Sequence, residues 1–211
     1  MYDNVRSLLI QKRGYREDIA GDALSLYLSN NPTAAKWLGE RIGNTNKILL
    51  ELCCAVGVTL ERLAPVFKGA IGVDIDKKVL EACRENLEKA GLLEKVKLVL
   101  GDVTDTDLLK SIAADIVIYD IPYWYPEKYP NYSAEKRSLV NPDLAKLISD
   151  IKEFITNDIV IFAPKEMDYE YFKGVLGECE CDEIFVNGKH GRNCIFLGSL
   201  IKKKGLHRVD L

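Results

Sequence analysis

The sequence has few of the side chains that most often build metal and nucleophile sites. Only two histidines occur among 211 residues, His190 and His207, both near the C-terminus. The chain therefore has too few histidines to make a histidine metal site or a Ser-His-Asp triad a strong expectation. The six cysteines form no Cys-x-x-Cys pair and show no zinc-finger spacing. We predict no metal site, and we expect reduced, mostly buried thiols in a cytoplasmic protein.

Other absences exclude further classes. No apolar run approaches the length of about 18 residues that a membrane-spanning helix needs. The N-terminal stretch lacks a long apolar core and a small-residue cleavage site, so we expect no secretory signal. The formal net charge of −3 excludes a uniformly basic nucleic-acid coat but not a local basic patch. The pattern Gly-x-Gly-x-x-Gly is missing, which argues against a dinucleotide-dependent oxidoreductase.

From residue 47 onward, short apolar runs alternate with amphipathic helical patterns. Five runs are typical of buried strands: Lys47–Leu52, Ala70–Ile75, Val96–Asp102, Ala114–Ile121 and Asp158–Pro164. A β-hairpin signal then surrounds a turn near Asn187–Gly191. We predict an α/β, Rossmann-like fold with a seven-stranded, mainly parallel sheet. Its C-terminal hairpin is antiparallel, and helices cover both faces.

Residues 1–46 read as mostly helical and precede the first strand. Asn31 followed by Pro32 predicts a helix start, and Thr59 is a candidate N-cap for the helix after the first strand. We therefore predict an N-terminal helical extension over residues 1–46, placed to cap the mouth of the sheet. Residues 47–211 would form the main domain.

Acidic residues follow the first two predicted strands. Glu51 ends the first, and small residues up to Gly57 let the backbone turn closely beside a ligand. A compact strand-to-helix turn without a ligand explains this stretch about equally well. Asp74 ends the second strand, where a carboxylate suits a ribose diol, and Ile75 is suited to pack on an adenine face. Asp76 is better explained as a helix N-cap.

The third and fourth strand ends add two more candidates. Asp102 is placed to accept from an adenine amine, although a helix cap or Asx-turn is a comparable interpretation. The fourth end reads Asp120-Ile121-Pro122-Tyr123. A nucleobase amine is a poor nucleophile because its lone pair is delocalised. The Asp120 carboxylate and the Ile121 carbonyl can hold its hydrogens while Tyr123 stacks on the base. A rigid Pro turn with a packed tyrosine is the less favoured alternative.

The stretch after this motif is rich in aromatic side chains. Residues 122–132 contain five of them: Tyr123, Trp124, Tyr125, Tyr129 and Tyr132. Interleaved cations and aromatics suit flipped or single-stranded bases. A lid packed on the N-terminal helices explains the stretch equally well. Farther on, residues 189–211 hold six Lys and Arg side chains against one acid, Asp210. We therefore expect any RNA contact to be local and modest.

The four strand ends resemble the class I S-adenosylmethionine-dependent methyltransferases over residues 47–203. Asp120-Ile121-Pro122-Tyr123 is similar to the [Asp/Asn/Ser]-x-Pro-aromatic motif of amino-methyltransferases that act on adenine or guanine. The chain also resembles the trimethylguanosine synthase group, which methylates guanine N2. That correspondence runs through SNNPTAAKWL, ELCCAVGVT, GVDID, GDV, DIPYWYP, ITNDIVIFAP and FLGSLIKK. Ala55 and Val58 stand where that group has glycines.

The resemblance implies S-adenosylmethionine as cofactor and assigns roles to the strand-end residues. Asp120, Pro122 and Tyr123 would be catalytic. The substrate would meet Ile121, Trp124 and Tyr125. The cofactor site would contain Glu51, Cys53, Ala55, Gly57, Asp74, Ile75, Asp102 and Val103.

These assignments predict methyl transfer to an exocyclic amine of a nucleobase, first of all guanine N2 in RNA. RNA is the expected partner, no membrane is expected, and the oligomeric state is left open. Alternatives are adenine N6, an amine of a small molecule or protein, and a non-catalytic methyltransferase-like subunit. The altered glycine loop favours the last of these, and the intact Asp-x-Pro-aromatic motif opposes it.

Overall fold

The structure, a computed structural model, describes residues 2–121, 143–165 and 169–211. The chain divides into two compact units, Met1–Asp102 and Val103–Leu211. The first unit contains three N-terminal helices, three strands and the two helices between them. Its elements are α1 (Tyr2–Arg13), α2 (Ala23–Leu28), α3 (Pro32–Ile42), β1 (Ile48–Leu52), α4 (Val58–Leu63), β2 (Gly69–Asp74), α5 (Lys77–Lys89) and β3 (Val96–Leu100).

The second unit contains five strands and the helices described between them. Its elements are α6 (Thr106–Ser111), β4 (Ile116–Asp120), α7 (Leu144–Phe154), β5 (Ile159–Pro164), α8 (Tyr169–Leu176), β6 (Glu180–Val186), β7 (Lys189–Phe196) and β8 (Gly205–Asp210). Short 3-10 turns occur at Ala64–Val66, Leu93–Lys95 and Gly198–Leu200.

The eight strands form a mixed sheet with the order β3-β2-β1 in the first unit and β4-β5-β7-β6-β8 in the second. Strands β1, β2 and β3 are parallel, as are β4 and β5. Strand β7 runs antiparallel to both β5 and β6, and β8 is parallel to β6. The predicted α/β, Rossmann-like fold with its C-terminal hairpin is confirmed.

The sheet has one strand more than the seven predicted. The segment Gly205–Asp210 forms β8, and its residues alternate between half-buried and exposed as a strand at the edge of a sheet requires. In the sequence this segment follows three lysines and contains Arg208, so its charge concealed the alternation. Its pairing with β6 through Cys181 and Leu206 depends on a contact distant in sequence.

Helix starts follow the expected capping chemistry at two sites and not at a third. The Asn31 side chain accepts from the backbone of Thr33, and Asp76 accepts from the first turn of α5. The candidate cap at Thr59 is wrong, because α4 begins after Gly57. Thr59 is buried and accepts instead from the Asn30 amide, 3.0 Å away.

The N-terminal helices pack against the segment that follows β1. Tyr15, Ile19 and Leu26 form an apolar cluster with two residues of that segment, Val56 and Val58. This packing joins residues before the first strand to the first unit of the sheet. The predicted boundary between residues 1–46 and 47–211 stays a prediction.

A buried asparagine reinforces this attachment. The Asn86 amide donates to Val56 O at 2.9 Å and to Ala20 O at 3.1 Å, and its Oδ1 accepts from Ala20 N at 2.6 Å. Buried polar groups are costly unless they are hydrogen-bonded, and these partners satisfy the amide. The side chain therefore ties α5, the N-terminal segment and the loop after β1 together.

All six cysteines are free, and five of them are buried, as expected from their pattern. Across the described ranges, no helix has the length and apolar character needed to cross a bilayer.

Two glycines are predicted to respond oppositely to alanine. A Cβ at Gly72 would lie 2.6 Å from Leu60 Cδ1 and 3.0 Å from Cys54 Sγ, whereas Gly174 in α8 has no atom within 4 Å of that position. We expect Gly72→Ala to lower the free energy of unfolding by about 1–3 kcal/mol through overpacking. Gly174→Ala should raise it by about 0.5–1 kcal/mol, since alanine loses less entropy in a helix. Urea unfolding measures both, and equal effects at the two positions would contradict this packing.

Candidate functional site

The loop between β1 and α4 has an unusual backbone. Cys53, Ala55 and Gly57 have φ angles of 61°, 48° and 83°, so alternate residues are left-handed. Only glycine adopts this region without strain, and the two non-glycine residues must therefore be held there by other contacts. Gly57 has a further constraint, because a Cβ there would lie 2.5 Å from Cys83 Sγ. The loop thus lies closely against α5.

Asp74 is the side chain that holds this loop. Its Oδ2 accepts from Ala55 N at 2.9 Å, and its Oδ1 accepts from Asp76 N at 3.0 Å. Its own carbonyl accepts from Gly101 N at 3.0 Å, which joins the ends of β2 and β3. Burial raises the pKa of the Asp74 carboxyl above its usual range, although the backbone donors Asp76 and Ala55 act in the opposite direction.

Two large apolar side chains beside Asp74 are exposed to solvent. Ile75 is 68% exposed and Leu100 is 56% exposed, although both are large and apolar. Asp102, two residues beyond β3, is also exposed. A flat apolar ring covers such side chains well, and exposed carboxylates accept from hydroxyl and amino groups. Sequence reasoning did not propose Leu100 as a site residue. The feature that could have indicated it is an apolar side chain at the end of a strand, two residues before Asp102.

Glu51 and Cys54 behave differently from these exposed groups. Glu51, near the end of β1, is only 1% exposed. A hydrogen bond with Cys83 and burial hold the pKa of the Cys54 thiol well above its usual range. Cys54 is therefore a neutral, packed thiol and a poor nucleophile. The first unit thus joins Asp74 directly to Ala55 and to the end of β3 just before Asp102. The assignment of Glu51, Cys53, Ala55, Gly57, Asp74, Ile75 and Asp102 to a ligand site stays a prediction.

In the second unit, the predicted catalytic motif begins at the end of β4. Asp120 is 8% exposed and Ile121 is 2% exposed. The Ile121 amide donates to Phe162 O of β5 at 3.1 Å, which fixes the backbone at this point. Val103, the first residue of this unit, is buried. Four other predicted residues, Pro122, Tyr123, Trp124 and Tyr125, lie outside the described residues.

Arg192 on β7 is the partner that sequence reasoning missed. Its Nη1 donates to Asp120 Oδ1, and each of the two side chains is 11% exposed. The pair joins residues 72 positions apart. In the sequence Arg192 counted only as one charge of a basic C-terminal segment, because nothing local connects it to Asp120.

Other C-terminal cations also have acidic partners. The Lys204 ammonium pairs with Glu178 at 2.5 Å, and Arg208 pairs with Asp210 at 2.8 Å. Arg208 also lies over the Phe185 ring, 3.8 Å from its centroid. The positive charge of residues 189–211 is therefore partly compensated within the second unit. Among the residues that the structure places, no three or more His, Cys, Asp or Glu side chains are arranged to hold a metal ion.

Parts of the chain are similar in sequence to known proteins. Residues 49–143 match the sequence profile of a family described as methyltransferase domain. A ribosomal protein L11 methyltransferase of Hamiltonella defensa subsp. Acyrthosiphon pisum (strain 5AT) is 32% identical over 107 residues, 49% of this chain and 33% of that protein. The rRNA N(6)-adenosine-methyltransferase metl-5 of Caenorhabditis elegans is 29% identical over 90 residues, 41% of this chain and 42% of that protein. The chain thus spans less than half the length of these relatives.

Solved structures share the fold at low sequence identity. A protein from Porphyromonas gingivalis W83 has a TM-score of 0.77 at 15% identity, covering 99% of this chain and 52% of its own. An RNA methyltransferase from Salinibacter ruber, solved with S-adenosyl-L-homocysteine, has a TM-score of 0.55 at 16% identity, covering 83% and 94%. The chain thus matches a methyltransferase-domain profile over residues 49–143 and has the α/β Rossmann-like methyltransferase fold.

Proposed function

We propose that the protein transfers the methyl group of S-adenosylmethionine to an exocyclic amine of a nucleobase in RNA, so that an N–C bond replaces the S–C bond and S-adenosylhomocysteine and one amine proton are released. The observation that carries the proposal is the nearly buried carboxylate of Asp120 at the end of β4, heading the sequence Asp-Ile-Pro-Tyr. Ligands of open α/β sheets bind beyond the carboxyl ends of the strands, and Asp120 occupies such an end. The similarity to RNA methyltransferases supports RNA as the substrate class.

Residues of the first unit would hold the cofactor. Asp74 would accept from the ribose hydroxyls while it keeps the loop from Cys53 to Gly57 in place. Ile75 and Leu100 offer exposed apolar contacts to the adenine ring, and Asp102 is suited to accept from its amine. When bound, the cofactor supplies an electrophilic methyl group on a sulfonium centre.

Residues of the second unit would prepare the amine. The ionised Asp120 carboxylate accepts a hydrogen bond from one amine hydrogen, and the Ile121 carbonyl accepts from the other. These contacts localise the nitrogen lone pair, which is otherwise delocalised into the base. Tyr123 would stack on the base, and Pro122 would line the catalytic site with it. Orientation and fixed dipoles then supply most of the acceleration.

The choice of base separates two candidates. Guanine N2 is our first proposal, from the resemblance to the trimethylguanosine synthase group. Adenine N6 is the second, favoured by the similarity to metl-5. The similarity to ribosomal protein L11 methyltransferases keeps a protein amine as a third outcome of the test. We further propose that residues 1–46 cap the site. Residues 122–132 would contact the RNA by stacking. The enzyme would be cytoplasmic.

Asp120→Ala is predicted to abolish methyl transfer while cofactor affinity stays essentially unchanged. The reason is that Asp120 would contact the amine and not the cofactor, so the rate should fall by roughly 10²- to 10³-fold. The measurement is transfer of labelled methyl from S-adenosylmethionine to bulk RNA, followed by mass spectrometry of the nucleosides. Calorimetry with S-adenosylhomocysteine reports the cofactor affinity.

The nucleoside that gains mass identifies the base. Methyl transfer to added ribosomal protein, with none to RNA, would reject the RNA proposal. Full activity of Asp120→Ala would reject the amine-acceptor role. Cofactor binding by the wild-type protein without transfer to any acceptor would favour the non-catalytic alternative.

Affinity for S-adenosylhomocysteine is predicted to depend on Asp74 ionisation. Burial raises the pKa of Asp74 above 3.8, so its protonation begins at a higher pH than for an exposed aspartate. The protonated form loses acceptor capacity for the ribose, and affinity should therefore fall on acidification toward that raised pKa. Asp74→Asn should weaken binding at neutral pH by roughly 10- to 100-fold, the equivalent of one charge-assisted hydrogen bond.

Asp76→Asn is the matched control for this prediction. Asp76 caps α5 through Oδ1, and asparagine caps helices about as well as aspartate. Its affinity at neutral pH should equal that of the wild-type protein. The ribose role of Asp74 is wrong if Asp74→Asn and Asp76→Asn bind S-adenosylhomocysteine alike across the pH range.

A further inference from the structure

We propose that Arg192 is the positioning residue for Asp120, an inference that rests on the proposed function. The geometry behind it lies within the second unit. Arg192 Nη1 donates to Asp120 Oδ1, and only 11% of each side chain is exposed. The pair sits at the carboxyl end of β4, where the amine would bind.

A nearly buried ion pair is poorly explained by stability alone. Removing both charges from water costs several kcal/mol per ion, and apolar replacements of such pairs are often as stable or more stable. An arginine in this pair at a strand end therefore points to a requirement other than folding. At Asp120 that requirement is a carboxylate held in one orientation.

The backbone around Arg192 is built to aim its side chain. Arg192 lies opposite Pro164, the last residue of β5, so its side chain starts at the end of the strand adjacent to β4. The pairing between β6 and β7 shifts at this point: Ile184 pairs with Arg192, and Phe185 pairs with His190. One extra residue on β7 is thus bulged, and bulges of this kind re-aim side chains beside functional sites.

The next residue, Asn193, fixes this part of β7. It is 3% exposed, donates to Pro164 O at 3.3 Å and shares a hydrogen bond of 2.8 Å with His190 Nε2. Arg192 therefore approaches Asp120 from a strand that is anchored on both sides. A planar guanidinium on such a support restricts rotation of the carboxylate more than a flexible ammonium does.

The contact between Arg192 and Asp120 should affect the rate of methyl transfer and not the binding of RNA. An adjacent cation favours the ionised form of a carboxylate, in which both oxygens accept hydrogen bonds. The contact of Arg192 with Oδ1 also fixes the plane of the Asp120 carboxylate, and so the direction from which the amine can donate to it. Loss of this contact should lower kcat, because misplacement of a reacting group by about 1 Å costs on the order of 100-fold in rate. It should leave KM for RNA nearly unchanged, because Arg192 does not contact the RNA in this role.

The test compares Arg192→Met and Arg192→Lys with Lys173→Met. Lys173 is an exposed cation of the same unit, paired with Glu170, and serves as the control for loss of one positive charge. Steady-state methyl transfer to bulk RNA gives kcat and KM, calorimetry gives S-adenosylhomocysteine affinity, and thermal melting reports folding. We expect kcat to fall about 100-fold in Arg192→Met, with partial recovery in Arg192→Lys and wild-type values in Lys173→Met.

A second comparison separates positioning from RNA contact. In an Asp120→Asn background the neutral amide needs no counter-ion, so Arg192→Met should cause little further loss of kcat. A multiplicative loss there, or a loss confined to KM, would show that Arg192 contacts RNA and would overturn the proposal. If Arg192→Met does not fold, Arg192→Lys decides, because a wild-type kcat in that variant also overturns it.

The wild-type measurement keeps the two proposals apart. Absence of methyl transfer to RNA by the wild-type protein rejects the proposed function. Normal wild-type transfer together with a wild-type kcat in Arg192→Met rejects only the positioning role.

Discussion

The carboxylate of Asp74 is the constraint on which the first unit's site depends. It accepts from Ala55 N in the loop after β1 and from Asp76 N before α5. One side chain therefore fixes the backbone of both connections. Its contact with Ala55 N helps to hold Ala55 at a positive φ that alanine disfavours. The burial that makes these contacts possible also raises the pKa of the carboxyl. Loop shape and charge state at this site therefore have the same origin.

The same loop is supported from its other side by the N-terminal helices. Asn86 joins the loop at Val56 to Ala20, and Tyr15, Ile19 and Leu26 pack on Val56. A loop with left-handed residues at Cys53 and Ala55 is strained, and such strain persists only where surrounding contacts over-determine the backbone. The residues that precede β1 are thus part of the structural support for the candidate cofactor site.

In the second unit, several cations of the C-terminal segment form ion pairs with acidic side chains. In the sequence Arg192 is one charge of a basic C-terminal segment, yet in the fold it forms a nearly buried pair with Asp120 at the end of β4. Lys204 and Arg208, which contributed to a basic C-terminal segment in the sequence, have acidic partners in the fold. Charge counts along a chain thus overestimate the positive field available to RNA, because they ignore compensation across strands.

Local pattern was sufficient for the fold class and for much of the candidate site. Alternating strand and helix runs, a Gly-containing hairpin turn and acidic residues at strand ends depend on neighbouring residues, and such signals survive in a linear sequence. They predicted the parallel strands, the hairpin, the caps at Asn31 and Asp76, and the clustering of Asp74 with the loop after β1.

Only the tertiary structure decided the remaining features, because each depends on contacts distant in sequence. Strand β8 exists through its pairing with β6, the buried Thr59 accepts a hydrogen bond from Asn30, and Arg192 acquires its partner 72 residues away. The sequence by itself thus determined which residue types stand at the strand ends. The fold decided which of them are exposed to solvent, as Ile75 and Leu100 are, and which are enclosed, as Glu51 is, since burial is set by what packs against a side chain.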